Sequence, residues 1–217
     1  MTKDELVQAV EAAVASLAQA YRDDATEADL YEAALLTIAV NAVKGAGGDV
    51  IMTSDGHNAV NEMNFRRAPG NLWAGDFTYG RSTFAGKPHV LEIHLGVYVA
   101  GKSGVAHECD VAVLDSREAD RSRAGGVHPR CRGLVAAVEA KHYQASPGIG
   151  VGRGFLGLAS EMGGPKCALA FPARSSATLG ALLARKQPEC LDEMDASSPA
   201  WARLQALLEQ RVRNWIA

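Results

Sequence analysis

Cysteine is scarce in this sequence: four residues, at 109, 131, 167 and 190, with no two at metal-knuckle spacing. That removes a zinc ribbon and a disulfide scaffold from consideration. Cys109 and Cys167 sit inside apolar runs and read as small core residues. Aromatic residues are also few, at 6%, and the formal charge is only −3. A bulk polycation is excluded, so any nucleic-acid contact must come from a local basic patch or a bound metal. The longest apolar run, Ala33 to Val43, is interrupted by Thr37 and Asn41, too short and too polar for a membrane span. The opening Met1-Thr2-Lys3-Asp4-Glu5 lacks a basic segment leading into an apolar one, so no secretory signal is expected there, and a reduced, cytoplasmic location with no membrane partner is. No Gly-x-Ser-x-Gly elbow is present.

What remains is a chain of 217 residues, 47% hydrophobic and 22% charged, the make-up of a globular α/β protein with one sizeable core. Thr2 and Glu5 have capping-box spacing, and Leu6, Val10, Ala13, Val14, Leu17 and Tyr21 predict a helix over Lys3 to Tyr21. Thr26, with Asp29 three residues on, predicts a second helix ending at Gly45. Asp49 to Thr53 reads as a strand, with another near Phe77-Thr78-Tyr79. Val90 to Ala100 and Val105 to Leu114 read as a hairpin around Gly101-Lys102-Ser103-Gly104. Asp115 to Arg132 reads as a loop carrying five arginines against three acids. Gly133 to His142 is so apolar that both faces of that strand must be covered. A glycine-rich loop, a helix from Arg153 to Met162, a strand from Lys166 to Pro172 and helices at Ser176–Arg185 and Pro199–Trp215 complete the order. This predicts a mixed sheet flanked by helices on both faces.

The informative residues are charges inside apolar strands. Glu108 and Asp110 alternate onto one face, as do Glu139 and Lys141 at the end of an uncharged run. A buried, unpaired carboxylate costs several kcal/mol. Two explanations are bland: Lys141 pairs with Glu139 or Asp110, or the strand simply ends and exposes them. The third is chemical: two carboxylates with a backbone carbonyl make a hard oxygen site suited to Mg²⁺, and the lysine beside it orients water and stabilises charge on a phosphate.

Asp110 followed by Glu139-Ala140-Lys141 resembles the signature of the PD-(D/E)XK nucleases, the restriction-endonuclease-like fold. The literal Pro-Asp dipeptide is missing, Cys109 standing before Asp110. The resemblance implies an αβββαβ core over about residues 26–172, with the N-terminal helix (1–25) and the C-terminal helices (173–217) as additions to a single 217-residue domain. It implies a nuclease acting on double-stranded DNA with Mg²⁺ or Mn²⁺, in restriction or phage defence, and a homodimer to cut both strands. Asp110 and Glu139 would hold the metal, and Lys141, its pKa expected below the ordinary lysine value, would act on the chemistry. Glu32 matches the family's helix glutamate. It falls among Leu35, Leu36, Ala39 and Val43 on the apolar side of its helix, where a helix-start preference is the plainer explanation. Glu108 would back up Asp110. Arg153 and the arginines of the 115–132 loop, Arg121, Arg123 and Arg130, would touch nucleic acid, the loop overhanging the site. Glu92 and His94 are expected on the solvent face of the hairpin, and His107 opposite Asp110 as a rim or core residue. A catalytically silent binding module and a phosphoesterase acting on RNA or small nucleotides are the alternatives.

Overall fold

The computed structural model describes residues 1–143, 145–184, 188–195 and 198–217. Helix α1 (Lys3–Ala13) begins at the Thr2–Glu5 capping box but stops well short of Tyr21. Tertiary pairing overrides the helical period there. Ser16–Leu17 (β1) forms a small parallel sheet with Glu62–Met63 (β3), and the Leu17 N–H is taken by the Glu11 carboxylate at 2.9 Å. A short α2 (Gln19–Asp24) follows. Helix α3 (Glu27–Gly45) starts at the Thr26–Asp29 capping box as the sequence predicts. It is buried along nearly its whole length, from Leu30 to Val43, because it lies between the sheet and two outer helices, α1 and α7 (Pro199–Ile216).

The main sheet has seven strands in the order β2 (Gly48–Thr53), β4 (Tyr79–Phe84), β5 (Val90–Ala100), β6 (Ala106–Asp115), β7 (Leu134–Ala140), β8 (Cys167–Ala170), β9 (Glu189–Leu191). Neighbours are antiparallel from β2 to β7 and parallel from β7 to β9, so the sheet is mixed and the class is α/β. β9 escaped the sequence reading, since three residues are too few for periodicity to register. Lys141 and His142 lie beyond β7, although the Lys141 N–H still donates to the Ala170 carbonyl at 2.9 Å.

Segment 115–132 is not an open loop. It carries helix α4 (Ser116–Gly125), started by the Asp115 carboxylate accepting the Arg117 N–H and ended by Gly126 in the left-handed region at φ 57°. Helix α5 runs Ile149–Met162, four residues longer at its start than expected, and α6 (Ala177–Leu183) is capped by Ser176. The expected end of that helix, Arg185, lies outside the described residues. Helices α1, α3 and α7 fill one core, including Leu91, Ile93, Leu95, Val111 and Val113; α4, α5 and α6 fill the other, including Val97, Val99, Cys109, Ala112 and Leu114. The long hairpin β5–β6 therefore changes sides. It does so where Gly96, at φ 57°, stands opposite Asp110 in the register between the pairs Leu95–Val111 and Val97–Cys109.

Candidate active site

β7 delivers Glu139 and, just past its end, Lys141; β6 delivers Asp110 from its kinked middle. The β6–β7 ladder runs Leu114–Leu134, Val113–Ala136, Ala112–Ala137 and Val111–Val138. At the next position the Asp110 carboxylate takes over, its Oδ2 accepting the Ala140 N–H at 2.6 Å. Lys141 Nζ lies 2.7 Å from Glu139 Oε1 and 3.9 Å from Asp110 Oδ2. The salt-bridge explanation is thus realised with both acids at once. Asp110 is only 4% exposed, so this pair cannot be dismissed as a solvated strand end.

The one lysine does not neutralise the cluster. Glu32 comes down from the first turns of α3, and burial, followed by the charges of Asp110, Asp29 and Glu108, pushes its carboxyl up to about 8. Burial, then Glu139, raises Asp110 well above the usual carboxylate range against the pull of Lys141. Glu108 is likewise raised, by burial and by Glu139. Four carboxylates share one ammonium, and the residual repulsion is a standing demand for positive charge. The expectation for Lys141 itself is corrected. Burial draws its pKa down, but Asp110 and Glu139 outweigh burial and the net direction is up.

Lys141 also serves as a probe of cation fit. An ammonium in reach of both Asp110 and Glu139 shows that the two carboxylates converge on one cationic point, with all-oxygen donors of the kind Mg²⁺ or Mn²⁺ takes. Among the described residues, no three His, Cys, Asp or Glu side chains stand close enough together to form a complete metal cage. The protein side chains on hand are the Asp110–Glu139 pair, with Glu32 and Glu108 behind it.

The expected arginines are elsewhere. Segment 115–132 joins the ends of β6 and β7 remote from Asp110 and Glu139, as the Leu114–Leu134 pairing requires, so it does not overhang the site. Arg121 and Arg130 bind Glu118 at 2.8 and 2.7 Å, and Arg123 binds Glu92. Arg153 is exposed on α5, with no acid against it among the described residues. His142 packs on the Tyr31 ring at 5.2 Å, and Tyr143, the next residue but one after Lys141, is exposed. His107 turns to the other side, beside Gly101 and α5.

Sequence reading missed a second polar cluster. Glu92 and His94 are 1% and 5% exposed, not on a solvent face. Glu92 accepts Arg123 Nη1 at 3.0 Å and Nη2 at 2.6 Å, and meets His94 Nε2 at 2.7 Å. Tyr79 stacks on His94 at 4.6 Å with Arg123 5.2 Å from its ring centre. Burial favours the neutral acid, but His94 and Arg123 prevail and hold Glu92 at about 2; burial draws the His94 imidazole down against the pull of Glu92. This cluster floors an open cleft of about 510 Å³ bordered by Asp55, Trp73, Asp76 and Arg81. Alternation of Glu92 and His94 with leucine and isoleucine looked like a wet face because α4, which covers them, was read as a loop. Among the described residues, no helix is long and apolar enough to cross a membrane. Compared with family models, curated proteins and solved structures, the chain matches none.

Proposed function

We propose that the protein is a Mg²⁺- or Mn²⁺-dependent nuclease of the PD-(D/E)XK type, hydrolysing phosphodiester bonds of DNA. The observation that carries this reading is the convergence of Asp110, Glu139 and Lys141, with the raised carboxyl of Glu32 beside them. The element order supports it: α3, β5, β6, β7, α5 and β8 follow one another as an αβββαβ series interrupted by β2, β3 and β4 after α3 and by α4 after β6, with three antiparallel strands and a fourth parallel to the third. Asp110 and Glu139 would hold the cation. A bound divalent ion supplies Lewis acidity and lowers the pKa of its water.

The chain's own groups do the rest. Lys141 stays protonated at neutral pH, so it acts by donating to a phosphate oxygen and to the attacking water, stabilising charge as it develops. Glu32, poised near neutrality, holds or yields a proton at the edge of the cluster. Two active sites are needed to cut a duplex, and a homodimer would supply them. A place in restriction or phage defence rests on family analogy alone.

A second reading, a nuclease-fold module that binds nucleic acid without cutting it, is favoured by one observation. Lys141 already occupies the point between Asp110 and Glu139, and no third side-chain ligand closes on that point among the described residues. Plasmid, linear duplex, single-stranded DNA, RNA and a small nucleotide diester, each incubated with Mg²⁺, Mn²⁺ or EDTA, separate the readings. Metal-dependent cleavage of DNA that is lost in Asp110→Asn supports the nuclease. Turnover of the small diester alone moves the activity to a phosphoesterase, and no turnover with any metal leaves the binding module.

A further inference from the structure

At the far end of the catalytic strands the charge balance is reversed. Glu118, in the first turn of α4, is 7% exposed and serves three guanidinium groups. Arg130 binds it twice, Nε to Oε1 at 2.7 Å and Nη2 to Oε2 at 2.9 Å. Arg121 Nε reaches Oε1 at 2.8 Å, and Arg132 Nε stands 3.7 Å from Oε2. Beside them Arg117 forks onto Asp115, Nε to Oδ1 at 3.0 Å and Nη2 to Oδ2 at 2.9 Å. Four arginines against two carboxylates leave a local excess of two positive charges on a chain whose formal charge is −3.

Three guanidiniums around one carboxylate repel each other, and an arriving anion relieves that repulsion. The two acids act as splints. They fix the planar forks in place, so that little side-chain entropy is lost when the outward N–H groups bind. The side chains of Arg117 and Arg132 remain 78% and 69% exposed. Together with Arg121, Arg130 and the edge of Trp215 they border an open depression of about 360 Å³. Several forks spread along an open surface suit a repeating polyanion better than one enclosed small anion.

We propose that this depression binds the phosphate backbone of a nucleic acid, at a site separate from the Asp110–Glu139 cluster. The choice of a nucleic acid among polyanions rests on the nuclease reading; the anion site itself does not. Five residue steps along β6 take Asp110 to Asp115, roughly 17 Å at about 3.3 Å per residue. A bound duplex must extend at least about five base steps, at 3.4 Å each, to reach from one to the other. The arginines therefore anchor the polymer away from the bond being cut.

The test is fluorescence anisotropy of a labelled 30-base-pair duplex in EDTA across a potassium chloride series. The double variant Arg117→Glu/Arg132→Glu should bind at least tenfold more weakly, and its log–log salt slope should be shallower by about two phosphate contacts. Arg117→Gln/Arg132→Gln should do the same to a smaller extent, with circular dichroism unchanged in both. Arg203→Gln, at an exposed arginine that does not border the depression, should bind as tightly as the unaltered protein. Unchanged affinity and slope in the double variant overturn the proposal, as does an unaltered protein that fails to bind the duplex. If metal-dependent cleavage is never seen but the charge reversal still abolishes binding, the nuclease reading falls and this site stands. If cleavage is seen and charge reversal has no effect on binding, the reverse holds.

Discussion

Asp110 holds the Ala140 N–H at 2.6 Å, a donor that a continuous β-ladder would have given to a backbone carbonyl. The carboxylate is thus a structural splice between β6 and β7 as well as a candidate metal ligand. The two roles separate by substitution. Asp110→Asn keeps an acceptor for Ala140 and removes the repulsion from Glu139 and Glu32, so its melting temperature should equal or exceed that of the unaltered protein while cleavage is lost. Asp110→Ala orphans a buried N–H, and should cost about 1–3 kcal/mol in chemical denaturation. Equal stability of the two variants would show that the Ala140 bond contributes nothing.

Lys141 sits between the two carboxylates that would receive a cation. Removing it should not weaken calorimetric Mg²⁺ or Mn²⁺ binding, and should lower the cleavage rate on the order of a hundredfold or more. Lys141→Arg should not restore the rate, because the guanidinium has a different shape and reach. Full activity in Lys141→Ala would remove the lysine from the chemistry.

The pH dependence of stability follows from the raised carboxyls. Glu32 at about 8 and Asp110, also raised, bind protons in the folded protein that the unfolded chain has released. Their contribution is fully present below the unfolded carboxylate range, near pH 4, and is lost as pH rises through the folded values. Melting temperature should therefore fall between about pH 5 and pH 9, and Mg²⁺ should return part of it at the alkaline end. Glu32→Gln should flatten the curve. Glu92 and Glu118, both held at about 2, act at the other end, losing their contribution as pH drops below about 4 toward 2.

Arg123 is tied to buried Glu92 and not to the Asp110–Glu139–Lys141 cluster. Arg123→Ala leaves an uncompensated charge under α4 and should destabilise by about 3 kcal/mol in urea unfolding. Arg123→Ala/Glu92→Gln should recover much of that loss. A single variant as stable as the unaltered protein would mean that Glu92 simply takes up a proton.

Much of this was readable in the chain, for identifiable reasons. The Thr26 box, the even alternation of β5 and the uncharged run of β7 are local signals, and each produced an element where the residues predict it. The Asp110–Glu139–Lys141 grouping was legible because charge inside an apolar strand has few innocent explanations. What failed depended on distant partners. The helix read through Leu17 gave way to pairing with Met63, 46 positions later. α4 was hidden by its polarity, although Asp115 and Gly126 mark its ends. Reading it as a loop also misplaced Glu92, His94 and every arginine between them and β7. The direction of the Lys141 shift depends on the balance between burial and two opposed charges, which only coordinates provide.

The change of sides at Gly96 and Asp110 has a dynamic consequence. Val97, Val99 and Cys109 pack with α5 and α6, whereas Leu91, Ile93, Leu95, Val111 and Val113 pack with α3. The boundary between two cooperative units then runs through the candidate metal ligand itself. In native-state hydrogen exchange, amides of the distal hairpin should open together with those of α5, at a lower free energy than the amides of α3 and the proximal strands. Binding a cation at Asp110 would fasten that seam, so the distal hairpin should gain the greater protection although it contributes only part of the site.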